Sequence, residues 1–116
     1  MITRCPDDAL PWAKLSHTGD VLETKTPYVV HAEANAILNK NASTLVGSHL
    51  YVTLYPCCEC AKLIIQSGIR EVTYCEAKRM SAAEGAAPVD PLYVAASRML
   101  HLAGVTVRQW QPAAAV

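Results

Sequence analysis

The thirty residues from His31 to Cys60 constrain this chain more than any other stretch. A histidine and a glutamate two residues apart, His31 and Glu33, are followed by two cysteines three residues apart, Cys57 and Cys60. Residues three apart lie on one face of a helix, so both sulfurs can reach one metal ion. One imidazole and two thiolates leave the fourth tetrahedral position open, as in a catalytic zinc site. The spacing predicts Zn²⁺ bound by His31, Cys57 and Cys60, with Glu33 placed to transfer protons.

The two cysteines are expected at the start of a helix. Pro56 should occupy its first turn, because proline suits the first helical position and needs no donor there. The positive end of the helix dipole should lower the pKa of both thiols. Cys58 should point away from the metal. A Cys-x-x-Cys pair alone would also fit a redox pair or a structural zinc turn, and these alternatives stay open at this stage.

A histidine and glutamate of this kind, followed by Pro-Cys-x-x-Cys, form the signature of the zinc-dependent nucleobase deaminases. The stretches His31–Ile37 and Leu50–Ile69 resemble the deoxycytidylate (dCMP) deaminase family, as do Cys5–Trp12 and Leu102–Arg108. The resemblance implies a cytidine-deaminase-like α/β/α sandwich core and Zn²⁺ as the cofactor. It also implies hydrolytic deamination of dCMP to dUMP and ammonia, in pyrimidine deoxynucleotide metabolism.

The resemblance assigns roles to single residues. Glu33 is the catalytic residue that moves protons to the pyrimidine N3 and to the leaving amine. The backbone N–H of Ala32 is expected to bind the base carbonyl. Asn35 is expected to bind substrate, with a purely structural role as the alternative. Many family members respond to dCTP and dTTP as effectors and associate as dimers or hexamers, so a homo-oligomer is expected.

Family members carry a helix and a two-strand hairpin ahead of the region that resembles Cys5–Trp12, and we expect this chain to lack both. The strand at His49–Tyr55 would then have one unpaired edge, which invites aggregation or pairing with another chain. The alternative to an active enzyme is an inactive or incomplete deaminase fragment. Such a fragment would bind zinc structurally or need a partner chain.

Charge and cysteine content restrict the class of protein further. The formal net charge of the 116 residues is zero, and proteins that grip a nucleic-acid backbone usually have a basic surplus. A small nucleotide is therefore favoured over a polymer as the substrate. The five cysteines are an odd number and fit a disulfide framework poorly, which favours the cytoplasm. We expect no signal peptide and no membrane span, and a single deaminase domain over residues 1–116.

The hydrophobic pattern predicts helices and strands in alternation. The helices are about Ala32–Lys40, Cys57–Ser67 and a third from Pro91 to just before Gly104; the strands are His49–Tyr55, Glu71–Cys75 and Val105–Trp110. This order predicts three parallel strands in one sheet. The nearly continuous apolar run of the first strand predicts burial on both faces.

Three residues outside these elements leave alternatives open. Lys78 and Arg79 lie in a predicted surface loop, where they could meet a substrate phosphate or simply be solvated. Cys5 could join a second metal site or have no special role.

Overall fold

The computed structural model describes residues 10–77 and 89–112. Their regular elements are α1 (Ala32–Leu38), β1 (His49–Leu54), α2 (Cys58–Gln66), β2 (Glu71–Glu76), α3 (Pro91–Leu102) and β3 (Thr106–Gln109). Two single-turn 3₁₀ helices, Val21–Glu23 and Thr26–Tyr28, precede α1. Within these two ranges no helix has the length and apolar character needed to cross a bilayer. Cys5, Lys78 and Arg79 lie outside the described residues.

The three strands form one parallel sheet in the order β1-β2-β3. His49 lies opposite Glu71, which in turn lies opposite Thr106. The predicted α/β class with three parallel strands is confirmed. Within the described part of the chain β1 pairs only with β2, so its other side is an edge of the sheet.

One face of the sheet carries the core, because side chains alternate between the faces of a strand. The buried cluster draws on all three helices and on the strand positions that face them: Ile37, Cys58, Ala61, Ile64, Val72, Ala96 and Leu100, with Leu50, Val52, Tyr74 and Val107 packed against it. The prediction that β1 is buried on both faces is wrong. Its outward-facing Tyr51 is 72% exposed.

The outer face holds a polar network in place of an apolar layer. The His49 ring lies between two partners on β2, with Nδ1 2.9 Å from Glu71 Oε2 and Nε2 2.7 Å from Thr73 Oγ1. Tyr51 stacks on the same ring at 4.2 Å, and Arg108 reaches Glu71 at 3.5 Å. Such cross-strand pairs stabilise a sheet face that is open to water.

The start of α2 lies one residue after the predicted Cys57. The helix begins at Cys58, and Cys57 is its N-cap with φ −72° and ψ 172°, so Pro56 precedes the helix and is not its first residue. Pro56 is instead fully buried. The sequence pattern did not reveal that this proline packs in the core as the chain leaves β1.

The ends of α2 and α3 follow the predicted punctuation. Asp90 caps α3 by accepting from the Leu92 N–H at 2.9 Å, and Pro91 is the first helical residue. Gly68 and Gly104 follow α2 and α3 with φ of +80° and +78°. Helices commonly end on a glycine in this left-handed conformation, which costs glycine little.

Candidate metal centre

Three predicted ligands meet where two helices begin. His31 is the N-cap of α1, Cys57 is the N-cap of α2, and Cys60 lies in the first turn of α2. The His31 Nδ1 atom is 3.4 Å from Cys57 Sγ and 3.4 Å from Cys60 Sγ. All three donor atoms lie within 4.8 Å of one another. This is the one such group of donors found among residues 10–77 and 89–112.

The donor set fits zinc in chemistry and in spacing. Zinc takes thiolate sulfur at about 2.3 Å and imidazole nitrogen at about 2.0–2.1 Å in tetrahedral sites. A tetrahedral ion with those bonds separates its nitrogen and sulfur ligands by about 3.6 Å. The observed 3.4 Å is within 0.2 Å of that separation. The number of protein ligands also matches that of a catalytic zinc site, since three ligands leave the fourth tetrahedral position open.

The pKa of the Cys60 thiol in the metal-free site is raised, whereas the position of Cys60 at the start of a helix predicted that it would be lowered. Cys60 is only 2% exposed. Burial raises the pKa of the Cys60 thiol, and the nearby negative charges of Glu33 and Cys57 raise that pKa further. The metal-free site therefore favours a protonated Cys60. A cation at the centre would reverse this balance, because binding it requires the thiolate.

Glu33 lies beside the ligands without being one of the close donors. It is half-buried in the first turn of α1, and the Cys60 thiol donates to its Oε2 at 3.7 Å. The carboxylate can therefore exchange protons with a group held at the metal. Ala32, the first residue of α1, is exposed.

Asn35 is half-buried on α1, and its side chain is oriented by the next turn of the helix. Asn39 Nδ2 donates to Asn35 Oδ1 at 3.1 Å and to the Asn35 carbonyl at 2.9 Å. The structure thus places Ala32, Glu33 and Asn35 on α1, the short helix whose N-cap is His31.

A cleft of about 290 Å³ opens beside Glu33, between α1 and the edge strand β1. Its lining comes from one side of α1 and from the middle of β1: Ala32, Glu33, Ala36, Leu50, Tyr51, Val52 and Thr53. The sequence pattern did not assign Leu50, Val52 or Thr53 to the site. The order of the elements could have indicated them, because β1 directly follows α1 and consecutive elements usually lie side by side.

Cys58 turns away from the centre, as predicted. Its side chain is buried in the apolar core with Ala61 and Ile64. The exposed network of His49, Glu71 and Thr73 also lay outside the predicted site. Period-two alternation within the strands would have placed those side chains on one face.

A family model described as the cytidine and deoxycytidylate deaminase zinc-binding region matches residues 13–76. Among curated proteins, a probable deoxycytidylate deaminase of Drosophila melanogaster is 49% identical over 111 residues, which cover 93% of this chain and 51% of that protein. The deoxycytidylate deaminase of Homo sapiens is 45% identical over 108 residues, with 93% and 55% covered. This chain thus spans about half the length of the curated relatives it matches.

A solved structure agrees with these relatives. The dCMP deaminase of cyanophage S-TIM5, crystallised with dCMP and dUMP, superposes with a TM-score of 0.59 at 28% identity. The superposition covers 82% of this chain and 59% of the viral chain.

Proposed function

Because the chain belongs to the cytidine and deoxycytidylate deaminase zinc-binding family, we propose that it hydrolyses dCMP to dUMP and ammonia. The insect and human relatives are named deoxycytidylate deaminases, and the viral structure contains dCMP and dUMP. The chain spans about half the length of those relatives. The activity of the whole enzyme is therefore our proposal for this chain. The observation that best supports the proposal is the meeting of one imidazole and two sulfurs beside Glu33.

His31, Cys57 and Cys60 would hold the zinc ion. When bound, zinc supplies a Lewis acid that lowers the pKa of water from 15.7 to about 7. The thiolates of Cys57 and Cys60 together offset the charge of the divalent ion, so the centre can be neutral. The buried position of Cys60 keeps bulk water away from that side of the centre.

Glu33 carries the protons of the reaction. Its carboxylate accepts a proton from the attacking water as the new bond to the pyrimidine C4 forms. It delivers that proton to N3, then takes the remaining proton from the hydroxyl now on C4 and passes it to the amino group, so that the C4–N bond breaks, the C4 carbonyl forms and ammonia leaves. One water is consumed for each ammonia released.

Ala32 and Asn35 would orient the substrate. The Ala32 N–H at the start of α1 would donate to the carbonyl oxygen of the base. The side-chain amide of Asn35, oriented by Asn39, would bind a polar group of the substrate.

We extend the proposal to the assembly and its effectors. β1 contains no charged residue, proline or glycine, which are features that protect an edge strand from pairing. We propose a homo-oligomer that uses this edge, tested by light scattering of the purified chain; a monomer at every concentration would count against it. Adding dCTP or dTTP to the turnover assay below tests whether the chain responds to these effectors.

The activity is tested by following dCMP loss through ultraviolet absorbance with the zinc-loaded chain. Glu33→Gln removes the proton carrier while keeping its shape. The matched control is Glu59→Gln, because Glu59 is 75% exposed and its Oε1 pairs with Lys62 Nζ at 3.0 Å. We expect Glu33→Gln to keep one zinc per chain and to lose activity by about 10²–10⁴-fold. Glu59→Gln should match the parent in both respects.

Two results would contradict the proposal. A folded, zinc-loaded parent chain that does not turn over dCMP would support the alternative of an inactive or incomplete deaminase fragment. Turnover that survives in Glu33→Gln would remove Glu33 from its role. Cytidine is the substrate control, since a nucleoside deaminase would prefer it to dCMP.

A further inference from the structure

Cys57 differs from the other cysteine ligand in how its backbone is held. Cys60 lies inside α2, where the helix fixes its position. Cys57 has extended dihedral angles at the N-cap, and its side chain makes no capping hydrogen bond. Its carbonyl accepts from the Ala61 N–H of α2 at 2.9 Å, and its other backbone support comes from the two residues before it, Tyr55 and Pro56, which join β1 to α2.

These two linking residues are anchored to the end of β2. The Tyr55 N–H donates to the Glu76 carbonyl at 2.8 Å. The Tyr55 ring is only 5% exposed and meets the Tyr74 ring edge-on, with centroids 4.8 Å apart and planes at 75°. Pro56 is fully buried. One backbone hydrogen bond and one ring contact thus attach the segment to β2.

Tyr74 is itself held firmly by the sheet. It lies opposite Val52 of β1 and Gln109 of β3, and its carbonyl accepts from the Trp110 N–H at 2.7 Å. Its backbone is therefore held on both sides, and its ring, packed against the buried core, forms a wall for the Tyr55 ring. If that wall were removed, Tyr55 could move, and the Cys57 sulfur would move with it.

We propose that Tyr74 is a positioning residue for the metal centre, which acts through Tyr55 on the sulfur of Cys57. The inference rests on the proposed zinc ligands but not on the identity of the substrate. Metal sites tolerate errors of only about 0.2 Å in ligand distance, so a small displacement of Cys57 should weaken binding. An edge-on ring pair contributes enough to change a binding constant by about two- to tenfold.

The experiment measures zinc affinity by competition with a chromophoric chelator, and ligand geometry by the absorption of the Co²⁺-loaded protein. Tyr74→Leu should bind zinc about two- to tenfold more weakly and should change the sulfur-to-cobalt absorption. Tyr74→Phe keeps the ring and should match the parent. Trp110→Leu is the control, because it removes a 55% exposed ring that does not line the cleft and keeps the backbone N–H that bonds the Tyr74 carbonyl.

Each remaining outcome has a definite meaning. Unchanged zinc affinity and cobalt absorption in Tyr74→Leu would overturn the inference, as would equal weakening in Tyr74→Phe or Trp110→Leu. If Tyr74→Leu does not fold, Tyr74→Met fills the space without a ring and takes its place in the same comparison. A folded parent chain that binds no zinc would instead overturn the proposed function, so the two failures are distinguishable.

Discussion

Replacing Gly68 with alanine tests how the turn after α2 is fitted against the segment that leads into β1. A Cβ at Gly68 would lie 2.8 Å from Val46 Cγ2 and 3.2 Å from Val46 Cα. At Gly104, which follows α3 with nearly the same φ, a Cβ would meet nothing within 4 Å. Gly68→Ala and Gly104→Ala therefore share the cost of placing an alanine at positive φ. Only Gly68→Ala adds a steric clash.

The expected losses of stability follow from these distances. The left-handed conformation costs an alanine about 1–2 kcal/mol, and this should be the whole loss in Gly104→Ala. Overpacking a core costs about 1–3 kcal/mol, and because Val46 is 74% exposed and can shift we expect the lower end of that range, so Gly68→Ala should lose about 2–3 kcal/mol in all. The methyl of Val46 can rotate away but its Cα cannot, which keeps the extra cost above zero. Each kcal/mol corresponds to about 4–8 °C in Tm for a domain of 60–100 residues.

Urea denaturation of both variants checks the prediction. The double variant Val46→Ala with Gly68→Ala removes the close methyl and should recover part of the difference between the two single variants. Equal losses for Gly68→Ala and Gly104→Ala would refute the steric argument. Zinc content should not change in either variant, because both glycines lie at the opposite ends of their helices from the metal centre.

Two further predictions concern the cysteines. Cys58→Ala should keep one zinc per chain because Cys58 lies in the core, whereas Cys57→Ser should bind zinc far more weakly; metal analysis that finds the reverse would reject the ligand assignment. In the metal-free chain, burial raises the pKa of Cys60. The contribution of this thiol to the free energy of unfolding is therefore complete below the ordinary thiol pKa of about 8.5, and it declines as the pH rises above that value. Denaturation of metal-free protein between about pH 7 and 10 should show this decline, and Cys60→Ser should show less of it; identical slopes would contradict the buried-thiol argument.

The sequence indicated that Cys57 and Cys60 would lie together because their placement depends on local spacing, whereas His31, 26 residues before Cys57, joins them only through the fold. Cys57 and Cys60 are three residues apart whatever the remainder of the chain does, and helical geometry then places both sulfurs on one side. The sequence signals for the two ends of α3 are equally local. Asp90, Pro91 and Gly104 each act on the few backbone groups beside them, so their pattern carries over directly into structure.

Burial was harder to predict, since it depends on distant neighbours. The apolar run of β1 indicated a strand but not how many of its faces would be covered, and Tyr51 turned out to be exposed. In the metal-free site the pKa of Cys60 is raised, opposite to the direction predicted from the helix start, for the same reason. Helix-dipole arguments use sequence position alone, whereas the burial of that sulfur results from the packing of α2 against the core.

All three metal donors are synthesised before any residue of β2, α3 or β3. Chains begin to fold from the N-terminal side as they emerge from the ribosome. Zinc captured at that stage would tie His31 to Cys57, 26 residues away, while the sheet that later supports them is still incomplete. The ion would then act as an early cross-link, and the supply of zinc during translation would influence how quickly newly made chains reach the native state.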